Sequence, residues 1–479
     1  MNHDDLSFLP ASRVVEAIRA RELSPVELTR HALERIDRLN PAYNAYLTVL
    51  HDEALATAQA AEDAVARGDE LGPLHGLPVS VKDLLYMKGV RATGGSLIHK
   101  DFVPDRDAPV VRKLRDAGAV ILGKTNTPEF GMIATTENRL GPPCRNPWDT
   151  ERTSGGSSGG AGVAAATGMG YLHVGTDGGG SVRIPASFCG VFGLKPSTGR
   201  VPAYNDAWGG FGAWPSLSQA GPMTRTVDDA ALMLDVIAGP EPDDPFAIPA
   251  RDGSYRPKER DKLGLRVAWT PDLGWATVDP EVRALCEAAA RRFADFGCEV
   301  EEAAPKIEDS AIAGSFLPIA AASDAASWAY LLDERPDDLS DYGRDFLSLG
   351  RAITGIQYVQ AETGRAKVWH IFDEFLSRYD LLLMPVLVTP PFPIGKPPTN
   401  IDGKEVRPFA WTPFTMICNL TGQPAASVPA GWTKAGLPVG LHVIARGFRE
   451  QTVIDACAAF ERAQPWQDRR PPEPATAGK

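Results

Sequence analysis

The chain has 479 residues, 43% hydrophobic and 23% charged, with 49 Lys and Arg against 61 Asp and Glu for a net charge of −12. This is ordinary globular composition, long enough for two domains or one large one with insertions, and its acidity excludes a general electrostatic pull toward nucleic acid or anionic membrane. The six cysteines show neither CxxC pairs nor small-domain spacing, and residues 1–10 lack the basic and apolar regions of a signal peptide, so free thiols and a cytoplasmic location are expected.

Ser24, Pro25 and Glu27 form a capping-box pattern with proline at the first helical position. Val26, Leu28, Leu33, Ile36 and Leu39 then recur near helical spacing. A second helix is expected over 51–67, stopped by Gly68. Residues 77–82 alternate as a strand, with Val79 and Val81 on one side. A helix over 108–116 ended by Gly118 leads into a buried strand over 119–122. An alanine-rich helix over 159–169, a strand over 171–175 and a capped helix over 226–237 follow. Residues 265–269, 279–296 and 298–302 read as strand, helix and strand, with Asp279 and Pro280 starting the helix and Gly297 stopping it. Strands over 427–430 and 439–445 and a helix over 451–462 complete the pattern.

The alternation predicts an α/β fold, with a mixed, largely parallel central sheet covered by helices on both faces. The expected organisation is a single catalytic domain over 1–465: a helical N-terminal segment (1–70), a catalytic core (71–240) and a helical insertion near the site (307–370). Residues 240–262, rich in Pro and Asp, read as a surface excursion, and the Pro-rich 466–479 as a loosely held tail.

Residues 153–176 contain no charged side chain after Arg152 and are too rich in Gly, Ser and Ala to span a membrane. Buried glycine-rich backbone of this kind is a place to look for a site. Two clusters mark it, Gly155-Gly156-Ser157-Ser158-Gly159-Gly160 and Gly175-Thr176-Asp177-Gly178-Gly179-Gly180-Ser181-Val182-Arg183. Their apolar neighbours argue against a flexible linker. Residues 118–125 satisfy the phosphate-loop pattern GxxxxGK[ST], but a helix precedes Gly118 and a strand fills the place of the loop. Gly155 to Gly159 also satisfies GxSxG, which would make Ser157 the nucleophile of an α/β-hydrolase-type esterase. The histidines that follow are His173, His370 and His442, and none sits in an obvious loop as a base. Nor do the histidines show metal-ligand spacing, so no catalytic metal and no cofactor are expected.

The two clusters, with Ser157 and Ser181 24 residues apart, resemble the amidase signature family. So does Gly76-Leu77-Pro78-Val79-Ser80-Val81-Lys82-Asp83, whose Lys82 lies 75 residues before Ser157. The likeness continues at Gly123-Lys124-Thr125-Asn126-Thr127-Pro128-Glu129-Phe130, Phe188-Cys189-Gly190, Lys195-Pro196, Gly221-Pro222-Met223 and Leu437-Pro438-Val439-Gly440-Leu441. His173 and Gly178 depart from it, the first where a small residue is expected and the second where related enzymes often carry a larger one.

The resemblance implies that Ser181 is the nucleophile, that Ser157 follows a cis peptide bond and relays the proton, and that Lys82 is the base. The chemistry agrees: a serine needs a base to take its proton, and a lysine serves as one only when burial keeps it neutral. Backbone N–H groups of Gly178, Gly179, Gly180 and Ser181 are expected to face an oxyanion. Ser158 and Asp177 are expected to support the site, and Arg183 to anchor the loop after the nucleophile. Cys189 reads as buried packing.

Tyr204, Trp208, Phe211 and Trp214 lie in a glycine-containing loop, Phe316, Trp328, Tyr330, Tyr342 and Tyr358 in the helical insertion, and Trp411 and Phe414 beyond it. They either line a pocket for apolar or aromatic groups or pack the core. The expected activity is hydrolysis of aryl or alkyl amides, with carbamate (urethane) and ester cleavage open to the same acyl-enzyme chemistry. The expected partner is a small-molecule amide or carbamate, without nucleic acid or membrane, acting on a monomer or homodimer. A glutamine-hydrolysing subunit of a tRNA-dependent amidotransferase is the competing reading.

Overall fold

A computed structural model of the chain describes residues 6–202, 210–211, 214–242, 244–260 and 262–474. The strands, in chain order, are β1 (Tyr46–Val49), β2 (Pro78–Lys82), β3 (Val120–Thr125), β4 (Leu172–Asp177), β5 (Phe192–Lys195), β6 (Gln219–Thr224), β7 (Arg266–Trp269), β8 (Glu299–Glu302), β9 (Leu381–Pro385), β10 (Asn400–Ile401), β11 (Lys404–Glu405), β12 (Ala425–Trp432) and β13 (Pro438–Ala445). Eleven of them form one sheet in the order β1-β3-β2-β4-β6-β5-β12-β13-β9-β7-β8, and β10 and β11 pair separately. Parallel ladders join β3 to β2 to β4 and β9 to β7 to β8. Antiparallel ladders join the strands between these wings and add β1 at the edge. The expected mixed sheet is present, with its parallel character in the wings. The middle is antiparallel because β6 runs back against β4 and a turn at Gly436 (φ 78°) folds β13 onto β12.

Helices cover both faces. Val120 and Leu122 of β3 pack in one apolar cluster with Leu33, Ile36, Ala161 and Val163, while Ala119 and Ile121 join the larger cluster on the other side. This is the period-2 alternation of a strand buried on both faces. The helices start and stop on the expected signals. Asp279 accepts from Glu281 N and Val282 N at 2.9 and 3.2 Å, Thr226 Oγ1 accepts from Asp229 N at 3.1 Å, and Gly68 and Gly297 end helices at φ 78° and 75°. The capping box at Ser24 is only half made: Ser24 Oγ accepts the Glu27 N–H but gives its own proton to Glu62. A complete box stands at Thr354 and Gln357, opening the helix Gly355–Phe375.

That helix belongs with Asp309–Trp328, Leu331–Glu334 and Asp341–Ala352, so the region expected to be helical is helical. Other expectations change. The residues after Ser181 form a helix, Arg183–Cys189, rather than a loop. The described residues of 240–262 do not stand away from the body, because Glu241 and Tyr255 are buried and Arg112 pairs with Glu241. The tail is tied down at least to Glu473: Trp466 is buried and donates to Arg225 O, and Glu473 pairs with Arg35 (2.9 Å) and Arg38 of the helix Pro25–Tyr43. All six cysteines are buried and free. Among the described residues, no helix is long and apolar enough to cross a membrane.

Candidate active site

β2 and β4 are parallel neighbours, in register from Val79 opposite Leu172 to Val81 opposite Val174. Their carboxyl ends therefore deliver Lys82 and Asp177 to one edge of the sheet. The helix Gly159–Thr167 begins at the same edge and brings Ser157 and Ser158 at its N-terminal end. Open α/β sheets characteristically place their sites at such edges.

Lys82 is fully buried, and its Nζ lies 2.6 Å from Ser157 Oγ, 3.0 Å from Ser158 Oγ and 3.0 Å from Thr176 Oγ1. Burial lowers its pKa well below the usual lysine range, with the charge of Asp177 opposing. Ser158 Oγ donates to Thr176 O at 3.1 Å and its N–H donates to Ser181 O at 3.1 Å. Ser158 thus ties the lysine to the segment carrying Ser181. The Gly156–Ser157 peptide bond is cis, as the resemblance implies.

The turn bearing Ser181 is held by Asp177. Its buried carboxylate accepts from Gly180 N (2.8 Å), Val182 N (3.1 Å), Arg183 Nε (2.9 Å) and Nη2 (2.8 Å), and Asn419 Nδ2 (3.0 Å). Burial alone would raise this carboxyl, but Arg183 and Asn419 hold it below the ordinary carboxylate range. Arg183 in turn meets Asn419 Oδ1 at 2.8 Å and His442 Nε2 at 3.0 Å. Gly180, expected to face an oxyanion, instead gives its N–H to Asp177. The N–H groups of Gly178, Gly179 and Ser181 are not among those that the Asp177 carboxylate takes. Thr415 Oγ1 fixes the loop from the other side by donating to Gly179 O at 2.7 Å.

A cavity of about 710 Å³ opens onto Gly179 and Ser181, with Trp214, Phe316, Phe346 and Met416 among its walls. Its charged lining residues are Asp309, Asp345, Glu405 and Arg407, and Arg407 pairs with Asp309. A much smaller space, about 20 Å³, adjoins Ser181 and Ser157 and shares Trp214 and Gly131 with the large one.

The expected aromatics divide between pocket and core. Trp214, Phe316 and Tyr342 line the large cavity. Phe211 does not: it is buried among Tyr86, His99 and Phe130. Tyr204 and Trp208 lie outside the described residues. Trp328 stacks on Phe130 at 4.7 Å, Tyr358 packs against the core, Trp411 and Phe414 are buried, and Tyr330 is exposed. Gly178 owes its small size to one of these rings, since a Cβ there would meet Trp214 Cε3 at 2.5 Å.

Among the described residues, no histidine hydrogen-bonds to Lys82, Ser157 or Ser158. His173 Nδ1 lies 2.7 Å from Ser80 Oγ, and burial lowers its pKa to about 3. Burial and then Arg183 push His442 well below its ordinary value. His370 is exposed beside Trp369. Lys124 of the phosphate-loop match is buried on β3, 3.2 Å from Asp83, and donates to Leu85 O. Burial raises the Cys189 thiol well above its usual range, so it is inert packing. Among the described residues, no group of three or more His, Cys, Asp or Glu could hold a metal.

Sequence reasoning passed over Thr176, Asn419, Thr415, Trp275 and Phe346. Thr176 stood inside the second glycine cluster, beside residues that did receive a role. Trp275, in a loop with Gly274, carried the same aromatic-near-glycine signal as Trp214. Asn419 and Thr415 carried none, because they reach Asp177 and Gly179 from 242 and 236 residues away.

The model of the Amidase family matches residues 27–454. The chain is 38% identical to the acylamidase of Rhodococcus erythropolis, covering 98% of each protein. It is 37% identical to a glutamyl-tRNA(Gln) amidotransferase subunit of Moorella thermoacetica, covering 98% of this chain and 99% of that one. The crystal structure of a bacterial aryl acylamidase of the amidase signature family superposes with a TM-score of 0.89 at 31% identity, covering 96% of this chain and 97% of that one. The chain belongs to the amidase family, the amidase signature hydrolases that act on amide bonds.

Proposed function

We propose that the chain hydrolyses the C–N bond of apolar aryl or alkyl amides through an acyl-enzyme on Ser181, with Ser157 as proton relay and Lys82 as base. The observation that carries this reading is the buried Lys82 amine 2.6 Å from Ser157 Oγ. A neutral amine has two N–H bonds and one lone pair. Ser158 has given its proton to Thr176 O, so toward Lys82 it accepts. Thr176 Oγ1 takes the second N–H, which leaves the lone pair for the hydroxyl of Ser157. Ser157 can then pass its proton to Lys82 as it takes one from Ser181, and Ser181 attacks the carbonyl. The N–H groups of Gly178, Gly179 and Ser181 receive the oxyanion, each such donor contributing about 3–4 kcal/mol to the transition state. On collapse the proton returns through Ser157 to the leaving nitrogen, and water then releases the acyl group.

The large apolar cavity supports an apolar substrate. Carbamates and activated esters pass through the same tetrahedral chemistry and extend the range. The likeness to the amidotransferase chain keeps glutamine as a second reading. A free glutamine carries a carboxylate that needs a cation, and among the described lining residues Arg407 is the one cation, already paired with Asp309. We therefore favour a chain that works on small molecules without partner chains. The deciding experiment gives the purified chain alone 4-nitroacetanilide, a phenyl carbamate and glutamine, with Ser181→Ala as control. Turnover of the anilide is expected. Ammonia release from glutamine with no anilide turnover would overturn the substrate reading.

A further inference from the structure

The helix Asp309–Trp328 runs along the site. Phe316, Ala320 and Asp324 follow one another at steps of four, so they share one face. Phe316 lines the large cavity, Ala320 is buried, and Asp324 lines the small chamber beside Ser181. An apolar side chain is expected at a position so placed. Asp324 is 2% exposed, and its Oδ2 has no hydrogen-bond partner among the described residues. A buried carboxyl oxygen left unpaired is destabilising, and the protein donor beside it, the Trp214 indole, lies outside hydrogen-bond geometry, which leaves room for a water to complete it.

The chamber says what that can be. Its volume of about 20 Å³ exceeds the roughly 10–15 Å³ that one water needs and leaves no room for a ring. Leu84, Phe130 and the Trp214 ring form its apolar walls, while Ser157, Thr176, Ser181, Ser218 and Asp324 offer polar groups. These are enough to supply the two to four polar partners of a buried water. Two of them, Ser157 and Ser181, are the groups a hydrolytic water must reach.

We infer that Asp324 positions the water that hydrolyses the acyl-enzyme, an inference that rests on the Ser181 reading above. Burial raises the Asp324 carboxyl well above the usual carboxylate range, and the Trp214 indole beside it opposes this only in part, lying outside hydrogen-bond geometry. A protonated carboxyl donates once and accepts once. It can orient a water without deprotonating it, which leaves the base role to Lys82. In the step itself the water oxygen bonds to the acyl carbon, and its proton passes through Ser157 to Lys82. The bond from the acyl carbon to Ser181 Oγ breaks as that proton returns to Ser181, releasing the carboxylic acid.

The test is partition of the acyl-enzyme. Native, Asp324→Asn and Asp324→Leu chains are given 4-nitrophenyl acetate with and without hydroxylamine, and the burst, the steady-state rate and the ratio of hydroxamate to acetate are measured. Hydroxylamine is a stronger nucleophile than water and the main cavity also reaches Ser181, so its attack is expected not to depend on Asp324. Asp324→Leu is expected to keep the burst rate, slow the steady state about tenfold and raise the hydroxamate ratio about tenfold. Asp324→Asn, which keeps a donor and an acceptor, should stay within about twofold of native. If the leucine variant does not fold, Asp324→Val carries the same readout. An unchanged ratio, or burst and steady state falling together, would overturn the inference. If the native chain forms no acyl-enzyme, the Ser181 reading falls and this one with it. If it forms one whose partition ignores Asp324, this inference alone falls.

Discussion

Lys82 Nζ meets Ser157 Oγ at 2.6 Å while Asp177, the acid whose charge reaches the lysine, is bonded to Arg183 and Asn419. The lysine is thus buried among hydroxyls with its nearby counter-charge already engaged, which is what lowers its pKa.

Activity should therefore rise with pH through the lowered pKa of Lys82 and fall as acid protonates it. Neither His173, lowered to about 3, nor His442 can supply that limb. Between the lowered folded pKa and 10.5 the unfolded chain holds a proton that the folded chain lacks, so stability lost to this group is regained as pH rises. Relative to Lys82→Met, the native chain should gain melting temperature as pH rises toward 10.5. A constant difference would show a lysine that keeps its proton.

Ser181→Ala should abolish labelling by a fluorophosphonate, read by intact mass. Ser157→Ala should keep some labelling and lose about 10²–10⁴-fold in activity, the range of a single proton-transfer group. His442→Ala, where soluble, should retain activity, and so should the native chain after treatment with a chelator. The opposite pattern would return Ser157 to the role of nucleophile.

Gly178→Ala places a methyl against Trp214 Cε3 at 2.5 Å. The ring lines both the large cavity and the small chamber, so moving it should raise KM for anilides about tenfold or more. Adding Trp214→Ala removes the clash and should recover part of the loss. A double mutant showing simple additivity would mean that the two residues do not interact.

Arg183→Met leaves the Asp177 carboxylate buried without its cation and should cost about 3–5 kcal/mol in urea unfolding. Arg183→Lys should restore little of this, because Nε and Nη2 bind the carboxylate together. By contrast Asp69→Asn, at an exposed pair with Arg67, should leave the urea midpoint almost unchanged.

Much of this was legible in the sequence where the information is local. Caps at Asp279 and Thr226, glycine stops at Gly68 and Gly297 and the alternation of Val79 and Val81 placed helices and strands correctly. The resemblance to the amidase signature family named Lys82, Ser157 and Ser181 together; Lys82 meets Ser157, and Ser157 and Ser181 line one small space. What was missed depends on neighbours distant in the chain. β6, with Gly221 and Pro222 inside it, has no strand periodicity and exists because β4 and β5 flank it. The tail looked loose because nothing in residues 466–474 announces that Arg35, Arg38 and Arg225 wait for them. Gly180 looked like its glycine neighbours until Asp177 was seen to take its N–H.

The clamp on the Ser181 turn draws on β4, the helix that starts at Arg183, Asn419 and His442 of β13. A ribosome making this chain must therefore release almost all of it before Asp177 and Arg183 have their full set of partners.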